Sequence, residues 1–258
     1  MRGSAQRALR PWRRQPSVAR LRPRLADGAR TTLYVAAFPL AAVDLRVARL
    51  EGSTSLVRWC RCEGIAHAIV GGFFVRPHNT PLGELRIAGT PVETVPFAAP
   101  WDGVRSCVHV EQGAIAIARR PGLPREPAGD LLQAGPLLVR DGASVVTGAD
   151  DEGFTAGAHQ FDSDISDGRH PRCALALTAD HVLAVACDGR HVRDAGLTLG
   201  ELAELLVGLG ARSALNLDGG GSASLVCRGR LVNRPREQHG IGLLEGRTIA
   251  TALVFEPR

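Results

Sequence analysis

The 258-residue sequence contains no lysine: all 31 of its strongly basic side chains are arginine. A P-loop, whose lysine reaches the phosphates of a bound nucleotide, is excluded. Aromatic residues make up only 4%, with a single tyrosine, too few to furnish the stacking platforms that hold single-stranded nucleic acid. No apolar run approaches the ~18 residues that a membrane-spanning helix needs. The first apolar run, TLYVAAFPLAAVDLRV, is broken by Pro39 and Asp44 and reads as strand. The N-terminal stretch has the charge of a signal peptide but no apolar stretch directly behind it, so the expected location is the cytoplasm. Six cysteines (60, 62, 107, 173, 187 and 227) sit mostly inside apolar runs, and Cys60-x-Cys62 lacks a second pair at zinc-site spacing. They read as buried thiols, with no metal expected.

The net charge of +5 conceals an asymmetry. Residues 1–30 hold nine arginines and one acid, Asp27, leaving 22 arginines against 25 acids in residues 31–258. The basic character belongs to the tail, MRGSAQRALRPWRRQPSVARLRPRL, which is expected to be disordered over residues 1–30. The weakly acidic body argues against a nucleic-acid partner. At 45% hydrophobic and 22% charged residues, that body is composed like an ordinary globular domain. It is long enough to bury a substantial core.

Periodicity predicts strands over 32–50, 66–75, 107–118 and 136–140, the last followed by an Asp141-Gly142 turn, and a short helix at 53–61. The prolines at 77, 81, 91, 96 and 100 restrict 76–100 to loops and edge strands. Residues 147–171 read as a long polar loop. Within it, Asp162, Asp164 and Asp167 lack the glycine and glutamate that complete an EF-hand. RCALALT and HVLAVAC (172–178 and 181–187) form a hairpin. Thr198 and Glu201 make a capping box for a helix over 198–209, with Leu199, Leu202, Leu205, Leu206 and Leu209 on its apolar face. SALNL is a strand, DGGG a turn, and SASLVC and LVN a second hairpin. The fold expected is α+β: a single domain with a mixed β-sheet, a strand–helix–strand unit at 182–218 and flanking hairpins.

Two strands end in Asp-Gly, at Asp188 and Asp218, with one helix between them. A crossover of that size makes the strands parallel and brings both carboxylates to one sheet edge. The first hairpin returns Arg172 to that edge, with His170 just outside it. The two-residue period puts Asn216 and Asp218 on one strand face, and the second hairpin brings back Asn233 and Arg234. The three glycines Gly219, Gly220 and Gly221 can present successive N–H groups to an anion, or form no more than a tight turn. A strand rather than a helix follows them, unlike a Rossmann or P-loop glycine turn.

These segments, ALNLDGGGSASLV, CDGR, GLTLGELAELLVGLGA, GRHPRCALAL, QAGPLLVRDG, VGGFF (with Gly71 and Gly72) and GRTIATALVF, resemble the phosphodiester glycosidase family over residues 31–256. The resemblance implies cleavage of a sugar phosphodiester at the anomeric carbon, releasing a sugar and a phosphomonoester. It nominates Arg172, Asp188, Arg190, Asn216, Asp218, Gly219 to Gly221, Ser222 and Arg247, and makes a small-molecule or glycan phosphodiester the partner; no cofactor is expected. Val70 stands where the family usually carries Asn, and Ala176 where Gly is common. Asp218 is the expected nucleophile or base. Asp188 is the second carboxylate or orients Arg172 or the substrate, and His170 is a further catalytic candidate. The competing readings are a catalytically lapsed sugar-phosphate binding module and a hydrolase that breaks P–O rather than C–O.

Overall fold

The computed structural model describes residues 16–147, 151–153 and 168–258. Residues 1–15 of the expected tail, and the aspartates at 162, 164 and 167, lie outside the described residues. The fold is mostly β-sheet. In chain order β1 is Ser17–Leu21, β2 Leu33–Pro39, β3 Val43–Ser55 and β4 His67–Val70. Next come β5 (Leu137–Arg140), β6 (Ala143–Ser144), β7 (Arg172–Leu177), β8 (His181–Cys187) and β9 (Ser213–Asn216). The last are β10 (Leu225–Cys227), β11 (Arg230–Leu231) and β12 (Thr248–Pro257); the helices are α1 (Leu56–Cys62) and α2 (Leu199–Gly208).

A seven-stranded sheet has the order β1-β2-β8-β7-β9-β5-β6, and a five-stranded sheet the order β11-β10-β4-β12-β3. A third sheet is built from strands within residues 85–133. Hydrophobic residues of alternate strand faces sort into two cores. Cys173, Leu175, Ala184, Ala186, Leu215 and Leu217 pack with the five-stranded sheet and α1. Ala174, Ala176, Leu183, Val185 and Ala214 pack with Leu202, Ala203 and Leu206 of α2. That helix starts where the capping box requires: Glu201 N–H donates to Thr198 Oγ1 (3.1 Å) and Thr198 N–H to Glu201 Oε2 (3.0 Å). Among the described residues no helix is long and apolar enough to cross a membrane.

Three expectations are corrected. The sheet expected to be mixed is antiparallel at every strand pair. β8 and β9 do run in the same direction, but only because each pairs antiparallel with β7, which lies between them. The hairpin strand takes the neighbouring place, and α2 therefore carries the chain across two strand widths. Second, Ser17–Leu21 is a strand rather than part of a disordered tail. Ala19 and Leu21 face the α2 core while Val18 and Arg20 face water, an alternation that its arginine content masks. Third, 107–118 is a hairpin, Ser106–Glu111 with Ala114–Arg119. Gln112 and Gly113 turn it at φ 48° and 78°, the doubly left-handed turn that matches strand twist.

Candidate active site

Asp188 follows the last residue of β8, Asp218 lies two residues beyond β9, and Arg172 opens the strand between them. What joins the two Asp-Gly turns is the backbone of Pro171. A Cβ on Gly189 would lie 2.7 Å from Pro171 N, and one on Gly219 would lie 2.8 Å from Pro171 O. Gly220 N–H donates to that same oxygen at 2.9 Å. Each turn needs glycine after its aspartate because a peptide already occupies the place of a side chain. Gly219→Ala should therefore destabilise the protein by about 1–3 kcal/mol, the usual cost of overpacking. A thermal unfolding midpoint lower by about 2–4 °C per kcal/mol checks this.

The three glycines have three separate reasons. Gly219 admits Pro171, Gly220 adopts φ 58°, and a Cβ on Gly221 would lie 2.8 Å from the Glu237 carboxyl carbon. The expected anion cradle is corrected in part. Gly219 N–H is bonded to Asp218 Oδ1 (2.8 Å), and Gly220 N–H to Pro171, so those two amides serve the turn itself. The unmet hydrogen-bonding capacity lies elsewhere. Asn216 Nδ2 donates to Gly135 O (3.1 Å), but Asn216 Oδ1 and the adjacent turn's Ser222 Oγ have no hydrogen-bond partner among the described residues. Both residues are 1% exposed. Buried polar atoms are costly to leave unpaired.

Gly71 brings the five-stranded sheet to the same place. Asp218 N–H donates to Gly71 O (3.0 Å), and Gly71 N–H to Thr251 O (2.8 Å). Gly72 N–H donates to Thr251 Oγ1 (2.9 Å). A Cβ on Gly71 would lie 2.5 Å from that oxygen, so β12 passes too close for a side chain. Val70, the position that departs from the family pattern, is fully buried in the hydrophobic core.

Asp188 is 1% exposed. Its Oδ1 accepts Arg234 N–H (2.7 Å) and its carbonyl accepts Thr31 Oγ1 (2.7 Å). Burial pushes its pKa up from 3.8 to about 6, and nearby Asp194 adds to the rise; the Arg234 N–H, Arg236 and Arg234 oppose it. At Asp188 burial outweighs the surrounding arginines. A raised carboxyl pKa means folding favours the protonated form. That stability is fully present below 3.8 and is lost as pH rises through about 6. Asp188→Asn keeps an oxygen for Arg234 N–H and has no charge to bury. It should gain stability relative to wild type from pH 4 to 8, by up to about 3 kcal/mol. A stability difference that stays flat across that window in paired thermal melts would contradict this.

Arg172 is buried, and its guanidinium donates to Leu197 O (2.8 Å) and Gly168 O (3.2 Å). His170 pairs with Leu197 through two backbone bonds (3.2 and 3.1 Å), which fix the entry to Pro171 and Arg172. Arg169 tightens the same segment, bonding both Asp27 (2.6 Å) and Glu201 at the start of α2 (2.5 Å). Arg190, at φ 56°, donates to Arg236 O (3.1 Å). Asn233 spans the second hairpin, bonding Ala223 O and Leu225 N–H.

Arg247 binds a residue that motif reasoning misses. Its Nε donates to Glu237 Oε1 (2.8 Å), its second nitrogen pairs with Glu237 Oε2, and its N–H donates to Gly221 O (3.1 Å). Bonding to Arg247 lowers the Glu237 pKa, and the charges of Arg247, Arg190 and Arg76 add to the effect against partial burial. The available signal was one acid preceded by two arginines in NRPREQHG, on the segment that returns to the aspartate edge. Tyr34 and Asp194 were also missed. Asp194 accepts Thr32 Oγ1 (2.7 Å), and the Tyr34 pKa is raised by burial and by Asp188.

The model of the phosphodiester glycosidase family matches residues 63–256, well over half of the chain. The uncharacterized SPbeta prophage-derived protein YomE of Bacillus subtilis (strain 168) is 27% identical over 150 residues, 53% of this chain and 20% of that protein. The match thus spans only about a fifth of that relative. Among solved structures, the zebrafish N-acetylglucosamine-1-phosphodiester alpha-N-acetylglucosaminidase catalytic domain, auto-inhibited by pro-peptide, superposes with a TM-score of 0.71. Identity is 18%, covering 95% of this chain and 83% of that one. A hypothetical protein from Synechocystis gives a TM-score of 0.65 at 19% identity, covering 94% and 62%. At such identities the structural likeness speaks for the fold.

Proposed function

We propose that this chain, which belongs to the phosphodiester glycosidase family, hydrolyses a glycosyl phosphodiester at the anomeric carbon, releasing a sugar and a phosphomonoester. The family makes it a hydrolase of phosphodiester glycosides in general terms; the bond broken and the residue roles are our reading. The observation that carries them is the closure of both Asp-Gly turns on Pro171, immediately before Arg172.

In this reading Asp218 removes a proton from the water that attacks the anomeric carbon. The C–O bond breaks with its electrons going to the phosphate oxygen, and Asp188, which retains a proton in mild acid because its pKa is raised to about 6, gives that proton to the oxygen. A phosphomonoester is already a good leaving group, so the demand on this acid is modest. Adjacent strands stand ~4.8 Å apart, and β7 separates the two carboxylate strands. Two spacings come to about 9.6 Å, close to the upper end of the ~6.5–9.5 Å that leaves room for a water in inverting glycosidases. Inversion is therefore the expected outcome. The rate should fall as pH rises through about 6, and Asp188→Asn should remove that limb of the profile.

The test is a screen of sugar-1-phosphodiesters with NMR of the sugar first released. Turnover that gives the opposite anomeric configuration supports the reading. Binding without turnover of any substrate would instead indicate a lapsed binding module.

A further inference from the structure

We propose that the Glu237 carboxylate is a built-in counter-anion, holding the phosphate position of the site until a phosphate-bearing ligand displaces it. The inference rests on the phosphodiester reading and adds a determinant of affinity to it. The carboxylate lies against the glycine turn, where a Cβ on Gly221 would be 2.8 Å from Oε1 and 3.0 Å from Oε2. Both of its oxygens are taken by Arg247, whose backbone N–H is itself anchored to Gly221 O. Arg190 and Arg76 act on the same carboxylate. One residue along, Ser222 Oγ is buried with no hydrogen-bond partner among the described residues.

A guanidinium fork accepts a carboxylate or a phosphate with the same geometry. Two anions cannot share one fork at close range, so the arrival of one excludes the other. The carrier of Glu237 is suited to yielding. It is an irregular loop between β11 and β12, closed on itself by Glu237 N–H to Ile241 O (2.9 Å) and Gly240 N–H to Glu237 O (3.2 Å). Its Leu244 is 99% exposed, and the Glu237 side chain is 29% exposed, so the carboxylate can rotate into water without unpairing a sheet. Occupation by Glu237 lowers apparent affinity by the fraction of molecules in which the position is closed.

Calorimetric titration of the full chain with inorganic phosphate tests this. Glu237→Gln is nearly isosteric but cannot neutralise the arginines, and it should bind phosphate about tenfold more tightly. Glu237→Asp, which keeps the charge, should stay near wild type. A merely structural Glu237 would give the opposite sign, because disorder of Arg247 weakens anion binding. Thermal melts without phosphate report folding, and Glu237→Ser serves as a second neutral variant if glutamine disrupts the loop. Equal or weaker phosphate binding by folded neutral variants overturns the counter-anion while leaving the site reading intact. Failure of wild type and variants alike to bind phosphate at millimolar concentration overturns both.

Discussion

Asp218→Asn is expected to lower the rate of sugar-1-phosphodiester hydrolysis by roughly a hundredfold to ten-thousandfold, the range spanned by positioned acids and bases. The substitution separates chemistry from architecture. Asparagine retains an oxygen at the position of Asp218 Oδ1, where Gly219 N–H donates at 2.8 Å, and the Asp218 N–H to Gly71 O bond uses only backbone. The turn should therefore persist, and the unfolding midpoint should stay within a few degrees of wild type. Asparagine cannot take a proton from water. If Asp218 serves only to accept a hydrogen bond from its own turn, the folded variant will retain more than a tenth of the rate, a barrier change under ~1.4 kcal/mol.

Arg172→Ala should weaken binding of a phosphodiester by roughly 1.5–3 kcal/mol, the scale of hydrogen bonds to charged groups, or about tenfold to over a hundredfold. The guanidinium is oriented by two backbone carbonyls, Leu197 O and Gly168 O. Its side chain is therefore held in place before ligand arrives. Lysine cannot reproduce a planar fork fixed by two acceptors, so Arg172→Lys should recover little of the loss. Part of any effect comes from leaving Gly168 O without its guanidinium donor, whereas Leu197 O keeps the His170 N–H. Calorimetry of a non-hydrolysed phosphodiester should accordingly be read beside thermal unfolding. An unchanged affinity in a folded alanine variant would remove Arg172 from the binding site.

The parts of the fold legible in the sequence are those governed by neighbours along the chain. The T-x-x-E box set the start of α2, the Ala179-Asp180 turn gave the hairpin of β7 and β8, and the two Asp-Gly strand ends stood out as punctuation after apolar runs. Together these brought Arg172, Asp188 and Asp218 to one edge, as the sheet order shows. Pairing across the sheet was not legible. Nothing local states whether β8 or β7 sits beside β9, and a crossover of this length is compatible with either. The role of the glycines was hidden for the same reason. The place of a side chain after Asp188 and after Asp218 is filled by Pro171, which lies 18 residues before Gly189 and 48 before Gly219 in the sequence. Glu237 had no motif to mark it. Its significance comes from Arg247 and Gly221, each reached only through folding.

In this mechanism water attacks carbon and not phosphorus. Hydrolysis of a sugar-1-phosphodiester in ¹⁸O-labelled water, followed by mass spectrometry of both products, tests it directly. The label is predicted in the anomeric hydroxyl of the released sugar, with the phosphomonoester unlabelled. Label in the phosphate would show P–O cleavage and contradict the assignment of Asp218 and Asp188 to chemistry at the anomeric centre.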